Sequence, residues 1–542
     1  MGFFRDYKSG LRAEFSGYNG KKLKKDIFAG ITTGAVALPL AIAFGTSSGA
    51  DASAGLITAI VAAFVIGALS GASFQIPGPT GAMVAVLAPL AMHHGLNAVF
   101  AAGVLGGVLL IVFGLLKIGK IVNLLPTAVI YGFTSGIALF IALGQVENLL
   151  GVTAEGEGVI QKIWDMLLDR PAVNLTALLI GVLVAVFIFA WPKKLDRAVP
   201  GSLVAVVLAA AAQLVFKFPV ATVGEIPRTL ISETRLDASA FLDGAVWEII
   251  WLPGLSIAML CLIESLLCGV VGGRMKGETL NADREIIAQG IGNIILPFMG
   301  GVPAASTVAR TSVSIRAGGQ TRLTGAFNGL FLLASMFLVS PFISQIPLSA
   351  LAGVLMVATW RMNRWDNIKY LFSRRFGGAM IMFTVTLGAT VVFDLTVAIA
   401  AGMAIAIVLF VAKMTNLDLT VSEYDPSRME GDLELPLQTE VVYITGVLFF
   451  GSITKLEKGL KDAKAQLVIL SMHGVPSADV SAVQTILSFC EERKATGKEV
   501  AFACLNAGVK DMLDRGGVTD TVGEGAFYAT AKDAIVKYSM GG

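Results

Sequence analysis

The chain has 542 residues, 55% of them hydrophobic and 15% charged, with a mean hydropathy of +0.75. Over most of its length this excludes an ordinary soluble fold and leaves a polytopic membrane protein. The net charge of +2 selects no partner class; no nucleic acid is expected, and the lipid bilayer is the obligatory neighbour.

Apolar runs dominate from about Asp26 to Lys413, whereas Met414 to Gly542 reads as soluble sequence. Lys21, Lys22, Lys24 and Lys25 precede the first run, and no small-residue cleavage site follows it, so the N-terminus is not read as a cleavable signal. Fourteen apolar segments follow, at about 27–45, 53–71, 76–92, 97–116, 124–145, 174–191 and 200–216, then 248–272, 284–298, 304–315, 323–343, 347–360, 377–393 and 395–413. A full span needs roughly 20 residues, so 76–92 and 304–315 read as half-helices.

An even number of spans puts both termini on one side. With that side cytoplasmic, the cytoplasmic connections carry fifteen Lys and Arg: Lys117, Lys120, Lys193, Lys194, Arg197, Arg274, Lys276, Arg284, Arg316, Arg322, Arg361, Arg364, Lys369, Arg374 and Arg375. The opposite connections carry five: Lys162, Arg170, Lys217, Arg228 and Arg235. The asymmetry follows the positive-inside rule and predicts a multi-pass protein of the cell membrane with both termini cytoplasmic. Seven spans per half is odd, so the second half enters the membrane in the opposite sense, as an inverted repeat.

Both half-helices begin at a proline/glycine break, Ile76-Pro77-Gly78-Pro79-Thr80-Gly81 and Gly300-Gly301-Val302-Pro303-Ala304. Pro79 lies 40 residues after Pro39, and Pro303 lies 39 after Glu264. Interrupted segments in corresponding positions point to a secondary transporter's binding site. A broken helix presents free N–H groups and the positive end of its dipole, which suits an anion. Thr80 or Gly81 is expected to start a helix running to about Met92, and Ser306 and Thr307 to sit in the first turn of the other. Glu264 lies alone inside an apolar segment, and an intramembrane carboxylate marks function by default. Burial disfavours its charged form, so Glu264 is a candidate proton site, with a purely structural hydrogen-bonded role as the alternative. Arg310 is read as a pore charge, a partner of Glu264 or a snorkelling residue. His93 and His94 read as a solvated interfacial pair, and Asp394 as a short turn.

At these residues the sequence resembles the sulfate permease (SulP) family of anion transporters. Asp26-Ile-Phe-Ala-Gly-Ile-Thr-Thr-Gly-Ala-Val-Ala-Leu-Pro-Leu-Ala-Ile-Ala-Phe44 is similar to the family's first-helix signature, and Gly78-Pro-Thr-Gly81 to its third-helix motif. The most specific block is matched by Ile263-Glu-Ser-Leu266, Gln289-Gly-Ile-Gly-Asn293, Gly300-Gly-Val-Pro303, Ala309-Arg-Thr311 and Arg316-Ala-Gly-Gly-Gln-Thr-Arg322. The resemblance implies seven-plus-seven helices in core and gate domains, a homodimer, and an anion site between the third and tenth helix starts, lined by the first and eighth helices. Carried over to this chain, the substrate residues are Pro39, Leu40, Thr80, Gly81, Ala305, Ser306 and Thr307, and the coupling-ion positions are Glu264 and Cys268. Sodium-dependent bicarbonate carriers of the family have an Asp and a hydroxyl at the latter two; a thiol is a poor sodium ligand, which favours protons over sodium. Leu40 stands where many sulfate-type members have glutamine, which leans toward bicarbonate or a carboxylate. Pro77 is a further departure, since a small polar residue is commoner there.

Pro426, Pro436 and the charges between them read as a linker. Strands are predicted at 441–445, 467–471 and 499–504, and helices at about 453–464, 480–494, 507–515 and 530–538, which suggests a small α/β domain. Val475-Pro-Ser-Ala-Asp-Val-Ser-Ala-Val483 resembles the STAS module usual at this end of the family. Ser481 is then a regulatory candidate, either a phosphorylatable hydroxyl or simply an N-cap, and the domain is expected to bind a cytosolic regulator.

Cys261 and Cys268 fall in apolar sequence and Cys490 and Cys504 in soluble sequence, with no disulfide framework or metal-ligand spacing. No catalytic residues, metal or cofactor are expected, and no phosphate-binding glycine loop is present, so the chain is not read as an enzyme. The expected organisation is a cytoplasmic segment 1–25, a transmembrane domain 26–413, a linker 414–437 and a STAS-like domain 438–542. The expected function is proton- or sodium-coupled uptake of a small oxyanion or carboxylate: bicarbonate, sulfate or a dicarboxylate. An uncoupled exchanger or channel, and a membrane sensor signalling through the tail, are the alternatives.

Overall fold

The structure is a computed structural model that describes residues 2–119, 126–154, 159–169, 171–192, 195, 199–225, 228–242, 244–393, 395–423 and 438–540. Lys120, Arg170, Lys193, Lys194, Arg197, Asp394, Pro426 and Pro436 lie outside the described residues. The chain divides into two compact units, Met1–Met403 and Ala404–Gly542.

In the first unit a helix α1 (Gly2–Glu14) precedes α2 (Gly20–Ser47), whose Asn19 cap accepts from the amides of Lys21 and Lys22. The predicted boundary at residue 25 therefore falls inside α2: the cap, not the first apolar residue, sets where the helix begins. There follow α3 (Ala52–Leu69), a two-residue strand β1 (Pro77–Gly78), α4 (Gly81–Leu115), α5 (Thr127–Gly144), α6 (Val146–Leu150), α7 (Val159–Asp169), α8 (Leu175–Ala190) and α9 (Gly201–Phe216). The second half continues with α10 (Gly244–Lys276), α11 (Ala282–Phe298), strand β2 (Ala305–Ser306), α12 (Val308–Arg316), α13 (Leu323–Leu338), α14 (Ser340–Ile343), α15 (Leu348–Met362), α16 (Trp365–Ser373), α17 (Gly377–Val392) and α18 (Leu395–Met414). Gly95, at φ 76°, breaks α4 into the two predicted segments. All fourteen predicted apolar segments are helical over most of their described length. Five helices among the described residues are long and apolar enough to cross a membrane alone.

Packing repeats between the halves. α2, α3, α4 and α10 to α13 form one bundle, in which α11 and α10 lie on α4 as α3 and α2 lie on α13. In the other, α5 packs on α17 as α15 packs on α8. This pairing is what an inverted seven-plus-seven repeat requires. Glycines permit close helix approaches: a Cβ on Gly107 would lie 2.7 Å from the Gly290 carbonyl, and one on Gly353 would lie 2.4 Å from that of Gly181. Large exposed apolar side chains on α8 and α9, such as Leu179, Leu183, Phe189 and Leu208, give the unit a lipid-compatible surface.

In the second unit five strands lie in the order β3 (Asp418–Glu423), β4 (Thr439–Thr445), β5 (Leu467–Gly474), β6 (Glu499–Ala503), β7 (Phe527–Tyr528); β3 is antiparallel and the others parallel. Helices α19 (Ile453–Asp462), α20 (Val480–Ala495), α21 (Ala507–Arg515), α22 (Val518–Val522) and α23 (Ala531–Met540) complete it, with Leu456, Leu470, Ile486 and Phe502 in the core. β3 occupies the start of the predicted linker 414–437. Its alternating Leu419 and Val421 pair with Ile444 and Val442 of β4, a pairing that a charge-based reading of the segment overlooks.

Candidate functional site

The two breaks meet. β1 and β2 pair antiparallel, Pro77 opposite Ser306 and Gly78 opposite Ala305. Prolines at 77 and 79 limit the ladder to one short pairing, because they have no N–H to extend it. Thr80 and Thr307 then take extended N-cap conformations, with φ −129° and −116°. The antiparallel pair sends α4 and α12 away from each other, so the positive ends of both helix dipoles converge on one buried point.

Arg310 ties the breaks together. It is 2% exposed and donates to the Pro79 carbonyl at 2.8 Å and the Ala305 carbonyl at 3.3 Å. A Cβ on Gly78 would lie 3.0–3.2 Å from its guanidinium, so glycine there makes room for the charge. The residue is therefore interior, and the snorkelling expectation is corrected: the start of α12 aims its side chain back across β2.

The second break is held from several sides. The Val302 amide donates to Thr58 at 2.8 Å, and Asn293 clamps both polar groups of Ala304 at 2.7 and 2.9 Å. The Ser306 amide donates to Ser265 Oγ at 3.2 Å. Ser306 Oγ donates to Glu285 Oε1 at 3.3 Å and accepts from Gln289 at 2.8 Å. Ser306 lies in β2, one residue before the N-cap, and its hydroxyl is engaged inward, contrary to its expected place in the first turn. Thr307 makes no side-chain cap bond, which leaves the first-turn amides of α12 uncapped. Thr80 instead accepts from the Met83 amide at 3.3 Å.

Glu264, half-buried on α10, has an oxygen, Oε2, without a hydrogen-bond partner among the described residues. Thr80 and Arg310 act on its carboxylate, which places it beside the first helix start. Cys268, one turn on, donates to Thr311 Oγ1 at 3.2 Å, and that oxygen also accepts from the Ile76 amide at 3.1 Å. Pro39 lines a small apolar cavity with Leu203, Phe331 and Ile346, and Leu40 belongs to the apolar core; the residue of α2 against the first break is Phe44. A Cβ on Gly81 would lie 3.1 Å from the Phe44 ring and 2.2 Å from Ile141 of α5. A cavity of about 920 Å³, lined by Val84, Pro89, His93, His94, Ile141 and Lys162 among others, opens one turn beyond Gly81. His93 and His94 are exposed.

Sequence reasoning missed Phe44, Ile141, Glu285 and Thr58. Gln289, Asn293 and Phe44 stood inside quoted motifs, where spacing gave them no role. Ile141 and Thr58 carried no signal, because only the chain crossing brings them to the breaks.

In the tail, Asp479 caps α20, accepting from the Ala482 amide at 2.9 Å and from Phe450 N at 2.9 Å. Ser481 sits inside the first turn, so its reading as the N-cap is corrected: the carboxylate two residues earlier takes that place.

Residues 23–386 match the model of the sulfate permease family, and residues 433–534 that of the STAS domain. The chain is 32% identical over 529 residues to the putative sulfate transporter YvdB of Bacillus subtilis, covering 95% of this chain and 97% of that one. It is 33% identical over 507 residues to the bicarbonate transporter BicA of Picosynechococcus, covering 87% of each. The structure of SLC26A9 superposes with a TM-score of 0.84 at 15% identity, covering 100% of this chain and 95% of that one, and shares the fold. A family model spanning most of the apolar sequence, over breaks and motifs arranged as above, makes this chain a member of the sulfate permease family with a C-terminal STAS domain.

Proposed function

We propose that the chain is a secondary active transporter of the cell membrane that takes up a small oxyanion or carboxylate by alternating access. The observation that carries this reading is the uncapped start of α12 at Thr307, held against the start of α4 by β1 and β2. Backbone amides at two converging helix ends bind an anion without a dedicated cation. Bicarbonate, sulfate and dicarboxylates all present the required oxygens, and the similarity to BicA and YvdB supports the first two. Glu264 is the coupling group. Its unpartnered oxygen beside Thr80 is where a proton, or a sodium ion, neutralises the site as the anion arrives. Both termini face the cytoplasm, the unit works as a homodimer, and the STAS domain adjusts rate through a cytosolic regulator, with Ser481 as its candidate site.

The test is uptake by proteoliposomes of bicarbonate, sulfate and a dicarboxylate, under an inward proton gradient and, separately, an inward sodium gradient. Gradient-driven accumulation of at least one anion is expected in the wild type. Glu264→Gln should keep exchange and lose accumulation. Accumulation that persists in Glu264→Gln removes the coupling role, and uptake insensitive to both gradients makes the protein an uncoupled exchanger.

A further inference from the structure

Glu285, like Asp26, is a fully buried carboxylate in the apolar part of the chain; it lies on α11, and the transport reading gives it no part. Four donors converge on it. Gln289 Nε2 and Ser306 Oγ reach Oε1 at 2.8 and 3.3 Å; Ser70 Oγ and the Gly71 amide reach Oε2 at 2.5 and 2.9 Å. These donors occupy both oxygens, whereas Glu264 keeps one free.

The donors belong to one connected polar network. Ser306 N donates to Ser265 Oγ at 3.2 Å, and the Ser265 carbonyl accepts from Gln75 Nε2 at 2.7 Å; Gln75 Oε1 lies 3.3 Å from Ser70 Oγ, whose one proton goes to Glu285. Gln75 leads directly into the first break, and Ser306 is a strand residue of the second. The neighbouring Arg284 grips the same loop, donating to the Ser70 carbonyl from Nε at 3.0 Å. Gly71 is pressed so close that a Cβ there would lie 2.1 Å from the Asn281 carbonyl.

We propose that Glu285 is a positioning residue for the anion site. By taking the single proton of the Ser306 hydroxyl, it turns that group away from the ligand and pins β2 to the lead-in of β1. The anion at the second break then meets Thr307 and the backbone amides in one fixed geometry. A hydroxyl whose proton is already committed offers an anion only lone pairs, so its inward orientation removes a repulsive contact. Buried networks of this kind are felt as a unit when one member is deleted.

The inference rests on the breaks being the anion site, and the experiment separates the two. KM and maximal rate for bicarbonate and sulfate uptake are measured on reconstituted wild type, Ser70→Ala, Glu285→Gln, Ser306→Ala, the Ser70→Ala/Ser306→Ala double variant and Gly81→Val. Folded protein is quantified in each preparation. Ser70 touches neither helix start, yet Ser70→Ala should raise KM about fivefold, the size of one hydrogen bond lost from a network. In the double variant the rise should be smaller than the product of the single effects. If Gly81→Val stops uptake while Ser70→Ala leaves KM unchanged, or the two single effects multiply, Glu285 has no positioning role. If Gly81→Val transports normally, the site reading itself fails. Should Glu285→Gln not fold, the Ser70 and Ser306 variants still decide.

Discussion

The first and second breaks share a backbone and differ in nearly every contact that surrounds it. Each is a two-residue strand, an extended threonine N-cap and a helix start, and the strands pair with each other. At the first break the cap is closed on Met83, Phe44 and Ile141 press on Gly81, and a guanidinium lies over Gly78. At the second break the cap is open, and the support comes from Thr58, Asn293, Ser265 and Gln289 behind the strand. Duplication supplies the converging dipoles; divergence closes one end into a wall and leaves the other open, which on the proposed function is where the anion docks.

The strongest way to break this contrast is Arg310, the one side chain among the described residues that bonds to both breaks. Arg310→Ala leaves the Pro79 and Ala305 carbonyls without that donor in a buried setting, a loss of roughly 3 kcal/mol. Uptake should fall by about a hundredfold. Arg310→Lys should be nearly as damaging, because an ammonium on a flexible stem does not reproduce a planar fork spanning two carbonyls. Thermal unfolding and uptake by reconstituted protein check both. A lysine variant with normal uptake would mean that charge alone, not bridging, is what Arg310 contributes.

Next comes the crowding at Gly81. Gly81→Val puts a branched side chain where even a Cβ lies 2.2 Å from Ile141 Cδ1, and uptake should fall below detection. Adding Ile141→Ala should restore part of it, since the clash is with the far end of one side chain. The matching helix position at the second break is already Val308, so Val308→Ala should change uptake less than about threefold. Equal sensitivity at the two positions would erase the distinction between wall and docking point.

How much of this was legible beforehand follows from range. The fourteen segments, the breaks and the alternating strands of the tail were visible, because apolar periodicity, proline and glycine act within a few residues. Glu264 was visible for a similar reason, since a lone carboxylate in an apolar run stands out without any partner. Arg310 was visible as a residue but not as a bridge, because its acceptors at Pro79 and Ala305 are brought together only by the β1–β2 pairing. From sequence Ser306 reads as a first-turn residue, and only the β1–β2 pairing, with Glu285 and Gln289 behind its hydroxyl, shows it to be a strand residue. From sequence β3 reads as linker, because the partner that buries its apolar side lies beyond two prolines. Ile141 lies on a different bundle from Gly81, and no spacing rule connects them.

The threonine caps offer a finer test. Thr80→Ala removes a cap bond and should cost about 1 kcal/mol of stability, with little change in KM. Thr307→Ala removes no cap bond, so stability should hold while KM for the anion rises severalfold. Melting temperature and KM measured on the same reconstituted samples separate the outcomes. The opposite pattern would place the open end at the first break.

The smallest effect concerns Cys268, whose resemblance-based role is to hold the coupling ion with Glu264. Its thiol donates to Thr311, and Thr311 in turn accepts from the Ile76 amide at the mouth of the first break. That chain makes Cys268 a support for the first break delivered from α12 of the opposite half. A thiol is a weak donor, and Thr311 keeps the Ile76 amide without it. Cys268→Ala should therefore lower the melting temperature by roughly 1–2 °C and leave the driving ion unchanged. Cys268→Thr places a hydroxyl within reach of the same Thr311 oxygen, so it should bond there and introduce no sodium dependence at fixed pH. Uptake by Cys268→Thr that becomes sodium-dependent would show the side chain turning toward Glu264. The two carboxylates of the site would then no longer divide as the breaks do, one bound up in support and the other left open for an ion.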